Sequence, residues 1–178
     1  MWLDKRERQE IPMKDEIRLI FDILTYNQGL VQFADGKANG LLLINSIFIA
    51  SVAPFIEVFR RGSLGVGLVL ILGFFFLSVT SILLSLGVIM TRKVSEIEDR
   101  NKSLLFYGHI IESNSPEGYI HEFSNAEAGK FRESLLINVF VVARIAARKY
   151  GMYNHAQTFT LLSCLSWIMT IAYVLLAK

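Results

Sequence analysis

The 178 residues are 53% hydrophobic and only 19% charged, with a mean hydropathy of +0.44, a balance on the membrane side of the usual composition of soluble domains. A net charge of +2, divided among several segments, excludes the concentrated basic face of a nucleic-acid-binding protein. The single cysteine, Cys164, excludes an intrachain disulfide or a thiolate metal cluster.

Residues 1–37 hold Lys5, Arg6, Arg8, Lys14, Arg18 and Lys37, so the first apolar run, starting at Ala38, does not have the form of a cleaved secretory signal. Ile17, Ile20, Phe21, Leu24 and Val31 recur at helical spacing, which predicts an amphipathic cytoplasmic helix leading into the membrane.

Three stretches, 38–56, 62–91 and 150–177, carry no Asp, Glu, Lys or Arg. A helix needs roughly 20 apolar residues to cross a hydrocarbon layer about 30 Å thick. The fold class expected is therefore an all-α integral membrane protein with transmembrane helices at about 38–58, 64–90 and 157–177 and a helical cytoplasmic layer. In domain terms the chain reads as an N-terminal helix (1–37), a transmembrane hairpin (38–90), a cytoplasmic helical sensor region (91–156) and a third span (157–178).

The first span is the most polar, with Asn45, Ser46, Ser51 and Pro54, and it opens on Gly36-x-x-x-Gly40, a spacing that lets helices approach closely in lipid. It reads as the helix that packs against neighbours, with Pro54 kinking its outer end. Asn45 has two readings: a hydrogen bond to a sister span or a serine of the same chain, or a pore-lining or self-association role. Asp35 and Lys37, two residues apart, point in different directions on a helix. They read either as partners across a subunit boundary, coupling the cytoplasmic layer to the spans, or as ordinary interface residues. The second span is the anchor, with eighteen Leu, Ile, Val or Phe between positions 64 and 89.

In 91–156, Ser115-Pro116-Glu117 is an N-cap followed by proline at the first helical position, and Ser124-x-x-Glu127 fits a capping box. Leu135, Leu136, Val139, Phe140, Val142, Ala143, Ala146 and Ala147 then predict a long helix from about 126 to 152. The run SLLFYGHII before Glu112 suits a strand or a loop, and periodicity does not choose between them.

Topology follows from Lys and Arg: six in 1–37, two in 59–63, nine in 91–156 and one at 178. Placing the first and third of these segments inside puts the N-terminus in the cytoplasm and the C-terminus outside. Neither inner piece is long enough for a generous core of its own, so they are expected to pack together and across subunits of a homo-oligomer.

Phe33-Ala34-Asp35-Gly36-Lys37-Ala38 opening a span that continues Leu42-Leu43-Ile44-Asn45, then Leu105-Phe106-Tyr107-Gly108-His109, then Arg148-Lys149-Tyr150, resembles the transmembrane effector family of Pycsar antiphage defence, from about residue 30 to the C-terminus. The resemblance implies a bacterial inner-membrane protein working with a pyrimidine nucleotide cyclase. On infection the cyclase makes cyclic CMP or cyclic UMP, and the effector impairs the membrane and halts the cell in abortive infection.

A cyclic mononucleotide needs cations for its phosphate and an aromatic face for its base. Arg144 and Arg148, one helical turn apart, with Lys149, Tyr150, Phe106, Tyr107 and His109, are the residues that meet this requirement. Arg148 and Lys149 also suit snorkelling to the inner headgroups, and His109 suits packing or capping. No metal or cofactor is expected, and no catalytic residue: His109, His121 and His155 lack metal-ligand spacing, and no phosphate loop or nucleophile elbow occurs. The rival reading is an accessory or structural membrane subunit whose cytoplasmic helices dock a protein partner.

Overall fold

The computed structural model describes residues 12–55, 65–90, 110 and 115–176, and every regular element among them is helical. Among the described residues four α-helices are laid out in chain order: α1 (Met13–Val52), α2 (Val66–Ile89), α3 (Pro116–Ser124) and α4 (Ala128–Leu176). A 3-10 segment, Ala53–Phe55, closes α1. The run SLLFYGHII, with Phe106, Tyr107 and His109, lies outside the described residues apart from Ile110, and so does the hairpin at 59–63.

Local chemistry sets the ends. Asp15 and Glu16 donate their backbone N–H groups to the carbonyl of Pro12, and their carboxylates sit in the first turn, where the helix dipole favours negative charge. At the other end Pro54 has no N–H and disfavours helical backbone at Ala53, so α1 tightens into the 3-10 turn there. Ser115 caps α3 as its sequence predicts, its Oγ accepting from the Gly118 N–H at 3.0 Å with Pro116 at the first position. The expected capping box at Ser124 does not form. Ser124 is still the last residue of α3, held by the Asn125 N–H to His121 carbonyl bond of 3.1 Å, and the Glu127 carbonyl takes the bond from Phe131 that opens α4.

The chain divides into two compact units, and α1 and α4 contribute residues to both. The first, within 1–29 and 94–144, holds the start of α1, α3 and the start of α4. Ile20 and Leu135 are buried there, with Ile17 and Leu24 half-buried on the Ile20 face, while Phe21 is exposed. Phe131 meets Phe123 edge to face at 5.8 Å, and Arg132 pairs with Glu16 at 2.6 Å. That pair is largely solvated and contributes about 0–1 kcal/mol.

The second unit, within 30–93 and 145–178, is a three-helix bundle of the end of α1, α2 and the end of α4. Ala34, Ala38 and Val88 form one cluster with Tyr150, Met152 and Tyr153, and Val52, Ile71 and Phe74 form another with Phe48 and Trp167. These pairings run α1 and α4 parallel, with α2 antiparallel to both.

The bundle is inverted relative to a soluble one. Its buried stripe includes Asn45, Ser78, Ser81, Ser85, Thr160, Ser163 and Thr170, while Val69, Leu83, Leu161, Leu165 and Ile168 are exposed. Phe74 is fully buried and Phe76, two residues on, is 69% exposed. Water would not tolerate that continuous apolar exterior, whereas hydrocarbon selects it and leaves small polar residues to join the helices inside. Two helices, α2 and α4, are long and apolar enough to cross a membrane. The third expected span, 38–58, does not meet the same measure over the described residues. Its helix after Lys37 ends at Val52, about 22 Å along at 1.5 Å per residue, and Asn39, Asn45, Ser46 and Ser51 dilute its apolar character.

Candidate functional site

Two groups of side chains in the membrane bundle carry chemistry beyond packing. The first is at the end of the bundle marked by Ala34 and Ala38 of α1. Ala34 and Ala38 are small enough to bring the helices close, and Tyr150 and Tyr153 cover them. There Lys149 Nζ donates to Asp35 Oδ1 at 2.5 Å, with the two side chains 14% and 32% exposed respectively. Lys37, one turn beyond Phe33 on α1, sets its ammonium 4.4 Å from the Phe33 ring centroid and 5.4 Å from that of Tyr153.

The second group lies mid-bundle. The Asn45 amide donates to Ser81 Oγ at 3.1 Å, to Thr160 Oγ1 at 2.9 Å and to the Leu41 carbonyl at 2.9 Å. Ser81 and Thr160 are 2.6 Å apart and each also reaches the Ala156 carbonyl. One turn further along, Ser78 and Ser163 share a hydrogen bond of 2.5 Å, and at the far end Trp167 Nε1 donates to Ser51 Oγ at 2.6 Å while stacking on Phe48. Asn45 thus joins all three helices of its own chain.

Of the residues singled out from the sequence, the structure brings Asp35 to Lys149, Lys37 to Tyr153, and Tyr150 onto the Ala34–Ala38 face. Asp35 and Lys37 therefore find partners within the chain. Arg144 and Arg148 are exposed one turn apart on α4, Arg144 in the first unit and Arg148 in the second. Gly36 and Gly40 lie on the exposed face of α1, with nothing within 4 Å of where a Cβ would stand, so contacts inside the chain use the Ala34, Ala38 and Leu41 face instead. Reading the sequence alone missed Ser81, Thr160, Ser78, Ser163 and Trp167. Their signal was present as polar residues at helical spacing, 78, 81 and 85 on α2 and 160, 163 and 170 on α4.

A family model, PycTM, the Pycsar effector protein domain, matches residues 19–176. The chain belongs to the Pycsar effector family. No curated protein and no solved structure matches it. As a Pycsar effector it is a membrane protein of antiphage defence, and the matched residues take in parts of both units and all of α2, α3 and α4.

Proposed function

We propose that this Pycsar effector is a ligand-gated, oligomeric effector of the bacterial inner membrane. In this reading a cyclic pyrimidine nucleotide, cyclic CMP or cyclic UMP, made by an associated cyclase binds its cytoplasmic residues. Binding stabilises another arrangement of the protomers, and the spans then impair the bilayer. The protein acts by binding and rearrangement rather than by catalysis. The family match over 19–176 is the observation that carries the reading. The polar interior of the bundle supports it, because helices joined by hydroxyl and amide contacts can exchange partners more readily than a fully interlocked apolar core.

Three spans remain our reading of the membrane part. The packing of residues 34–52 of α1 beside residues 71–88 of α2, a helix long and apolar enough to cross, supports that reading. The Lys and Arg distribution supports a cytoplasmic N-terminus and an external C-terminus. Arg144, Arg148 and Lys149 are the cations proposed for the phosphate, with Tyr150, Phe106, Tyr107 and His109 for the base and sugar.

The ligand can act only through different affinities for the two arrangements. Isothermal titration of the detergent-purified protein is expected to give heat with cyclic CMP or cyclic UMP and none with cyclic AMP. Absence of binding to either pyrimidine nucleotide would contradict the proposal and favour a subunit that docks a protein.

A further inference from the structure

Among the described residues, three side-chain hydrogen bonds join α1 to α4 in the membrane bundle: Asp35 to Lys149, Asn45 to Thr160, and Ser51 to Trp167. They lie at the two ends and the middle of the bundle and differ in kind. The Asn45 and Ser51 ties are between neutral groups, so a charged solute has no ionic partner there to exchange with. The Asp35–Lys149 tie is ionic and stands at the end where both side chains keep some access to solvent, 32% and 14%. An ammonium held by one carboxylate is open to exchange for another anion that offers charge and acceptor oxygens. Lys37, over Phe33 and Tyr153 at the same end, adds a second cation and two aromatic rings.

We infer that the Asp35–Lys149 ion pair is a resting-state clasp that holds α1 against α4, and that an anionic phosphate ligand opens it by taking Lys149 from Asp35. The inference rests on the effector reading above and adds the contact through which the ligand would act. Opening removes the ionic part of the contact at this end, leaving the packing of Tyr150 and Tyr153 on Ala34 and Ala38 and the Lys37 ammonium over Tyr153 to hold α1 on α4. In the absence of ligand the clasp biases the bundle to its closed arrangement, which an effector that must stay silent in healthy cells requires.

The test uses the full chain in liposomes loaded with a self-quenching dye, compared at matched amounts of inserted protein. Asp35→Asn keeps the side-chain shape and removes the charge, and is expected to raise leakage without nucleotide about tenfold, within the span typical of a coupling between two sites. The exchange Asp35→Lys with Lys149→Asp restores an ion pair and is expected to return resting leakage to the wild-type level while abolishing the response to cyclic CMP or cyclic UMP. Resting leakage of Asp35→Asn equal to wild type would overturn the clasp, as would an exchange variant that leaks like Asp35→Asn. Wild type unresponsive to both nucleotides, with the variants behaving as expected, would count against the nucleotide reading and support the clasp.

Discussion

Asn45 offers two amide hydrogens to three acceptors, the Leu41 carbonyl, Ser81 Oγ and Thr160 Oγ1, while its own Oδ1 is buried without a hydrogen-bond partner. Two opposing effects follow. The contacts to Ser81 and Thr160 each contribute about 0.6 kcal/mol, the average for such bonds in membrane bundles. The orphaned carbonyl costs about 1–3 kcal/mol. Asn45→Leu, similar in volume, is thus expected to change bundle stability by less than about 2 kcal/mol, because both effects vanish together and Ser81 and Thr160 keep each other. Reversible unfolding in mixed detergent checks this, and a loss several times larger would show that Asn45 organises the bundle. Ser85 Oγ is likewise buried without a partner, so Ser85→Ala is expected to leave stability unchanged or raise it by up to about 1 kcal/mol in the same assay.

At the scale of elements, α2 and α4 approach closely at Gly87, where a Cβ would come within 2.5 Å of the Met152 methyl. That methyl is the end of a flexible side chain, so Gly87→Ala is expected to be tolerated with Met152 turned aside, whereas Gly87→Leu forces the helices apart. Yield of folded protein in detergent separates the two. For α3, Ser115→Ala removes the cap bond to Gly118 and is expected to cost about 1 kcal/mol, read as faster amide exchange confined to α3. The cap of α3, the helical spacing of Ile17, Ile20 and Leu24, and the long helices were legible because each is a short-range pattern. The start of α4, expected at about 126, falls at Ala128, but its cap was not legible: Ser124 and Glu127 have capping-box spacing, yet α3 runs on through Ser124 and takes the position a cap would need. The Asp35–Lys149 pair was also beyond sequence spacing, since 114 residues separate its members and only the parallel register of α1 and α4 brings them together.

At the scale of the whole molecule, the inverted pattern of buried serines and exposed leucines was half visible in advance. Charge-free length announced all three expected spans alike, but only α2 and α4 combine that length with enough apolar character among the described residues, because Asn39, Asn45, Ser46 and Ser51 dilute the first. The proposed three crossings with a cytoplasmic N-terminus predict that Cys164 of the wild-type chain stays shielded from a membrane-impermeant maleimide, while a cysteine introduced at Lys14 reacts only after permeabilisation. Labelling of the Lys14→Cys position on intact cells would reverse the topology. The central claim, that a pyrimidine cyclic nucleotide turns this family member into a membrane-damaging form, is tested most directly by dye release from liposomes containing the purified chain. Release is expected on adding cyclic CMP or cyclic UMP and not cyclic AMP, and equal release with and without nucleotide would contradict the account.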